Sequence, residues 1–295
     1  MTKPTHVLAV TDLSEASDEA LRQANGYARM TAARLSVLHV VPDWMRANLL
    51  IPDGNPRETN TEVEMEQRAL DDLVARVKEV TGRLGDDVEV AVRSGSVDAA
   101  VVRYAEQNAV DLVVVGATGR TGLSRLLLGS TAERVVRHAH CTVLVARSSP
   151  ETNNVLAATD LSDAAVPAVE RAREEATWRG GKLHVLHAMD FSALGWAAAA
   201  GPLGGFAVPI PPAKMAEMRR LAEAALHGIA GADAVTHVVE GSAKRSIAMT
   251  AESLPASLVV VGTHGRTGLA RMALGSVAEA ITRVAPCSVL VVRSR

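Results

Sequence analysis

The residues of this chain with the most specific spacing are glycines. Gly116-Ala-Thr-Gly119 is followed by nine residues and then Gly129-Ser130, and the pattern returns as Gly262-Thr-His-Gly265, nine residues, and Gly275-Ser276. Each begins directly after a Val-Val-Val run. Glycine accepts positive φ and has no Cβ, so it permits a sharp exit from a strand and close approach of backbone to a ligand. A helix beginning at Gly129 and at Gly275 presents unpaired N–H groups and a partial positive charge, which together suit a phosphate. Ser130-Thr-Ala-Glu133 and Ser276-Val-Ala-Glu279 also fit the capping-box pattern, so each serine is a candidate helix cap. The two roles are compatible, and two copies of identical spacing favour a binding loop.

Asp12 and Asp160 each follow a threonine at the end of a short apolar run. An aspartate there caps a turn or meets a ligand, and its place at the expected mouth of a sheet favours the ligand. Arg120, Arg125, Arg266 and Arg271 lie inside the glycine loops, where they either neutralise phosphate charge or remain solvated. His264 stands in the second loop opposite Thr118 of the first. His138-Ala-His140-Cys141 has the residue types of a zinc site. Its repeat counterpart, Val284-Ala-Pro-Cys287, has no histidine, so the reading is of cysteines that begin buried edge strands, with no metal. His39 and His187 recur at matched places and read as packed strand histidines. Walker A, the kinase motif set, a Rossmann G-x-G-x-x-G and a G-x-S-x-G elbow are all missing. Fast phosphoryl transfer, dinucleotide redox chemistry and α/β-hydrolase chemistry are therefore disfavoured.

The elements that must position these residues repeat as well. VLAVTDLS from Val7 returns as VLAATDLS from Val155, and LSVLHV from Leu35 returns as LHVLHA from Leu183, both 148 residues later. The glycine segments and the Cys-x-Val-Leu-Val runs return after 146. A polar, Pro-containing stretch from Ser148 to Asn153 reads as the linker, which sets domains at 1–148 and 149–295. In the first copy, strands are predicted near 6 to 11, 34 to 41, 88 to 92, 111 to 116 and 142 to 146, alternating with helices. Val97, Ala100, Val101, Tyr104 and Ala105 recur at helical spacing, as do Leu70, Leu73, Val74 and Val77. The expected fold is α/β, two tandem doubly wound domains, each a five-stranded parallel sheet with helices on both faces, of flavodoxin or Rossmann type. Flavodoxin-like orders are the first choice, with the ligand at the switch point, by the loops after strands one and four. The loops from Pro42 to about Glu58 and from Asp190 to Pro212 differ completely between the copies and read as surface insertions.

Composition agrees with this class. Nearly half the 295 residues are hydrophobic, but aromatics are only two Phe, two Tyr and three Trp, so the cores are packed from Ala, Val and Leu. A net charge of −2 provides no general field for nucleic acid or an anionic membrane. Two cysteines without a CxxC suit a reducing cytosol, and neither a signal-peptide core nor a run of about 20 apolar residues is present.

The spacing G-x-x-G, nine residues, then G-S resembles the ATP-binding members of the universal stress protein family, and the resemblance covers both halves almost end to end. It implies ATP, with Mg²⁺, held in each half. By that resemblance Thr11-Asp12 and Thr159-Asp160 open the adenosine end of each site, and Val40 or Val41 and Ala188 or Met189 line the adenine pocket. Val115-Gly116 and Val261-Gly262 flank the ribose, and Gly129-Ser130-Thr131 and Gly275-Ser276-Val277 hold the phosphates. Gly119 with Arg120, and Gly265 with Arg266, complete the loops. Val277 replaces the Thr131 hydroxyl, so the two sites are expected to differ in affinity. The resemblance also makes the last strands, Val143 to Ala146 and Val289 to Val292, dimer edges. The halves are then expected to pair as a pseudo-dimer, with a homodimer of chains beyond it. The expected function is a cytoplasmic stress-response or signalling module whose nucleotide occupancy is read by a regulatory protein partner. Two alternatives stand beside it: a slow ATPase or self-phosphorylating enzyme accepting at Ser130, Thr131 or Ser276, and a scaffold with a structural nucleotide.

Overall fold

The computed structural model describes residues 3–42, 58–83, 87–118, 128–190, 211–263 and 274–293, with backbone only for 58–63. The chain divides into two compact units, one ending at Ser148 and the other running from Ser149 to Arg295. The first unit contains β1 His6–Thr11, a 3₁₀ turn Glu15–Ser17, α1 Asp18–Thr31, β2 Arg34–Val41, α2 Glu58–Thr81, β3 Glu89–Ser94, α3 Val97–Gln107, β4 Leu112–Gly116, α4 Ser130–His138 and β5 Thr142–Ala146. The second contains β6 Val155–Ala158, a 3₁₀ turn Asp163–Ala165, α5 Val166–Arg179, β7 Leu183–Met189, α6 Pro212–Ala230, β8 Val235–Glu240, α7 Ala243–Ser253, β9 Leu258–Gly262, α8 Ser276–Val284 and β10 Ser288–Val292.

All pairings within each unit are parallel. The order is β3-β2-β1-β4-β5 in the first and β8-β7-β6-β9-β10 in the second. This is the Rossmann order 3-2-1-4-5-6 without its sixth strand, rather than flavodoxin's 2-1-3-4-5. Both satisfy right-handed crossovers and the same run of strand and helix signals, so only the packing of helices on the sheet decides between them. The switch point lies between strands one and four, where Val10 is in register with Val115. The central strands are buried on both faces, with Val7, Leu8, Ala9, Val113 and Val114 at 0% exposure. Their near-continuous Val and Leu runs reflect that double burial, because a strand covered on both sides has no polar face to alternate.

Helix α3 follows its apolar rhythm, with Val101, Tyr104 and Ala105 buried. In α2, Leu73 and Val77 are buried at the same spacing. α1 packs against α2, and α3 against α4, so each pair covers one face of the sheet. α1 stops at Ala32 and α5 at Gly180, both in left-handed conformation with φ of 57° and 62°. Glycine is at ease in that conformation and alanine is not.

Candidate nucleotide site

Strand one of each half ends in Thr-Asp, followed by a leucine in the left-handed region: Leu13 at φ 65° and Leu161 at φ 66°. Bulky residues rarely adopt it, and such conformations persist where the surroundings enforce them, often at functional sites. Here the enforcing contacts are visible. The Leu13 N–H donates to Thr11 Oγ1 at 3.0 Å, and Leu161 N–H to Thr159 Oγ1 at 3.0 Å. Asp12 Oδ1 accepts from Ser14 N–H at 3.1 Å and from the Ser14 hydroxyl, and Asp160 Oδ1 accepts from the same two groups of Ser162 at 3.0 and 2.6 Å. Each aspartate therefore does close a turn, with one carboxylate oxygen. The strand-two histidines hold the same corner from the side. His39 Nδ1 lies 2.9 Å from the Thr11 carbonyl and His187 Nδ1 3.0 Å from that of Thr159, which makes each Nδ1 the donor. These histidines are positioning residues for the strand-one corner, a role beyond plain packing.

The other side of the site is the exit from strand four. Ala117 N–H donates to the Ala146 carbonyl at the end of β5, and its own carbonyl accepts the Gly129 N–H at 2.7 Å. Thr263 repeats this between Val292 and Gly275, the latter at 2.8 Å. One residue thus ties the strand exit to the start of the next helix and sets that helix beside the switch point. Gly129 and Gly275 are the N-caps, with no side-chain cap bond at either. The serines are the first helical residues rather than caps. Glu133 and Glu279 pair with Arg137 and Arg283 one turn on, at 3.3 and 3.0 Å. The capping-box reading is therefore overturned: the glycine that returns to strand four takes the cap position, and the serine is displaced into the helix. The first backbone bonds of the two helices run from Glu133 to Gly129 and from Glu279 to Gly275. The amides of residues 130–132 and 276–278 are consequently left without a helical partner. A Cβ on Gly275 would stand 3.1 Å from the Thr263 carbonyl oxygen, closer than that backbone allows without moving.

In the second half these parts enclose a cavity of about 250 Å³ at the carboxyl ends of β6, β7 and β9. Every described residue expected in that site lines it: Thr159, Asp160, Ala188, Val261, Gly262, Gly275, Ser276 and Val277. Of Ala188 and Met189, it is Ala188 that faces the cavity. The matched residues of the first half, Thr11, Asp12, Val40, Val115, Gly116, Gly129, Ser130 and Thr131, occupy the equivalent strand ends and helix start. Gly119, Arg120, Arg125, Gly265, Arg266, Arg271 and His264 lie outside the described residues, as do most of the two strand-two loops.

The cavity also has walls that sequence reasoning missed. Ala158 and Ala165 come from strand one and its 3₁₀ turn, Leu186 from β7, and Ala243 and Ile247 from α7. Leu186 was findable, since it sits two residues before Ala188 and strand alternation puts both on one face. Ala243 and Ile247 carried no signal, because apolar residues at i and i+4 are equally the mark of a core-facing helix. Part of the lining is thus apolar, and part is a helix start whose first amides lack a helical partner. Among the described residues no group of three or more His, Cys, Asp or Glu is placed to hold a metal ion. Cys141 and Cys287 are buried and not joined in a disulfide, and no described helix is long and apolar enough to cross a membrane.

The model of the universal stress protein family matches residues 4–147 and again 151–293. The chain belongs to the universal stress protein family. A universal stress protein of Mycobacterium tuberculosis H37Rv is 30% identical over 310 aligned residues, covering 99% of each chain. One from Mycolicibacterium smegmatis is 28% identical, covering 98% of this chain and 97% of its own. The crystal structure of a universal stress protein from Archaeoglobus fulgidus DSM 4304 matches with a TM-score of 0.65 at 22% identity, covering 98% of each chain, which is a likeness of fold. The family's domain is thus present twice, and Gly116 with Gly129, like Gly262 with Gly275, lies by the switch point of its sheet.

Proposed function

We propose that each half of this universal stress protein binds an adenine nucleotide, ATP with Mg²⁺, and that occupancy is read by a regulatory partner in the cytoplasm. The observation that carries the reading is the start of α8, without a side-chain cap, opening into a cavity whose remaining lining is largely apolar. A polyphosphate satisfies the amides of Ser276, Val277 and Ala278, and the small residues Ala158, Ala188 and Ala243 leave a slot for a flat base. Hydrogen bonds to a charged group contribute about 1.5 to 3 kcal/mol each, so three amides supply much of the roughly 8 kcal/mol of a micromolar complex. In this reading Val261-Gly262 passes beneath the ribose, and Asp160 stands at the adenosine end with its corner fixed by His187. The first half works alike through Thr11, Asp12, Val40, Gly116 and Gly129-Ser130-Thr131.

The described residues bring no lysine into the second cavity and only one carboxylate, Asp160. Calorimetric titration of the full chain with ATP, with and without Mg²⁺, tests the proposal. Saturable binding is expected, weakened at least about tenfold at the second site by Gly275→Ala, which forces the helix start away from Thr263. Absence of saturable binding by the wild-type chain to ATP, ADP or a cyclic adenine nucleotide would remove it.

A further inference from the structure

Below the cavity the second half carries a pair of histidines that the first half lacks. Strand alternation places His184, Leu186 and Ala188 on one face of β7, the face that Leu186 and Ala188 turn to the cavity. Leu186 is in register with His237 of β8, so His184 and His237 lie diagonally across the ladder, next to the Leu186 wall. His184 Nδ1 and His237 Nε2 are 3.0 Å apart. The ring centroids are 5.3 Å apart and the planes 23° from parallel. The excess of the centroid separation over the nitrogen separation is about what two imidazole radii occupy. The rings therefore meet edge to edge, one N–H aimed at the other's lone pair, rather than face to face. At the same ladder positions the first half has Ser36 and Ala91.

The charges around the pair are few. Lys182, just before β7, acts on His184. Asn154, just before β6, is neutral, and Glu240 ends β8 at the far side, 3.9 Å from Arg219. α6 packs on the opposite face, where His227 meets Thr236 and Arg219 reaches the Val238 carbonyl. α7, packed on β7, carries Lys244 and Arg245 in its first turn and Glu252 in its last. Among the described residues, no carboxylate is hydrogen-bonded to either ring. A neutral pair needs one N–H between the two nitrogens. A first added proton keeps that bond but places a cation in a buried position with Lys182 nearby. A second sets N–H against N–H, with no acceptor and two like charges in contact.

We propose that the His184–His237 pair is an acid-operated joint: neutral, it holds β7 to β8, and protonated, it releases that edge of the sheet together with the Leu186 wall of the cavity. Burial, the largest influence on both rings, pushes their proton affinity below the ordinary histidine value, and His237 and Lys182 push His184 further down. The unfolded or opened segment then takes protons first. The closed state keeps its full stability above about pH 6.5 and loses it as pH falls below that value, by up to about tenfold per pH unit for each excess proton. The joint does not depend on what the cavity binds.

Hydrogen exchange of the full chain, corrected for intrinsic exchange rates, tests it with an internal control. Between pH 7.5 and 5.5, opening of segments 183–189 and 235–240 is expected to rise several-fold, up to about tenfold for each excess proton, relative to 34–41 and 89–94. The double variant His184→Ser with His237→Ala, which installs the first half's residues, is expected to flatten that response. An equal pH response in the two halves, or an unchanged response in the double variant, overturns the proposal. Should the variant fail to fold, the imidazole signals of the wild-type chain decide by NMR: two coupled titrations below the ordinary range are expected, and two independent titrations at ordinary histidine values overturn it.

Discussion

The two halves keep one end of the sheet alike and treat the other end differently. At the carboxyl ends of the strands, the Thr-Asp corner, the left-handed leucine, the strand-two histidine and the glycine helix cap all recur with bond lengths within about 0.1 Å. At the amino ends the solutions diverge. In the first half Glu89 of β3 pairs with Arg34 and accepts from the Tyr104 hydroxyl at 3.0 Å, while Ser36 bridges His6 and Glu89. The Arg34 hydrogen bond, above all, holds the Glu89 carboxyl below its usual range, and burial pushes the Tyr104 hydroxyl up. In the second half Val235 replaces Glu89 in register, and the histidine pair provides the polar contact. The fold tolerates either arrangement, because each satisfies its own buried polar groups.

Exchanging residues between the halves tests how far each depends on its own solution. The largest effect is expected at Gly181. A Cβ there would stand 1.7 Å from the Asn153 carbonyl oxygen, whereas the first half carries Ala33 at the equivalent place. Gly181→Ala is expected to destabilise the second domain by about 3 kcal/mol or more. Denaturant unfolding should show one transition moving and the other unchanged; two unshifted transitions would mean that the linker side relaxes freely.

A smaller loss is expected from Arg76→Ala in the first half. Its guanidinium makes two bonds to Asp18, at 2.9 and 2.6 Å, and Asp18 is only 6% exposed. Removal leaves a buried carboxylate without its main partner, at a cost of about 2 kcal/mol. Val166 replaces Asp18 in the second half, so the double variant Asp18→Val, Arg76→Ala should recover part of that loss, measured as a coupling energy in a double-mutant cycle.

Ala32→Gly is expected to act in the opposite direction. It relieves the left-handed alanine at the end of α1 and installs the residue that ends α5, a gain of about 1 kcal/mol in the first domain, read as a raised melting temperature. A fall in melting temperature would show that backbone entropy outweighs the relief. The smallest effect concerns the nucleotide: Thr131→Val and Val277→Thr should shift ATP affinity in opposite directions, each by roughly threefold to tenfold, the worth of one hydrogen bond. Equal affinities in wild type and both variants would show that this hydroxyl makes no contact with the phosphates.

Much of the fold was legible because its signals are local. Five Val-rich runs, the helical rhythm of Val97 to Ala105 and the offsets of 148 and 146 sufficed for two parallel α/β domains. The glycine spacing placed the helix starts and, through the switch-point rule, the cavity mouth. The serines misled, because S-x-x-E has the same letters whether the serine caps the helix or follows a glycine cap, and only the return of Gly275 to Thr263 distinguishes them. His39 and His187 were visible as a repeat, yet their role rests on the nearness of the Thr11 and Thr159 carbonyls, 28 residues away in the chain.

By itself, then, the sequence determined what depends on neighbours along the chain: where strands and helices begin, which turns need glycine, and that one domain is written twice. Tertiary structure decided what depends on partners far apart in the chain: the strand order, the apolar wall supplied by α7, and the meeting of His184 with His237 across 53 residues. The physical reason is that propensity and periodicity act over a few residues, whereas a hydrogen bond or a cavity exists only after the backbone has brought distant groups within a few ångströms.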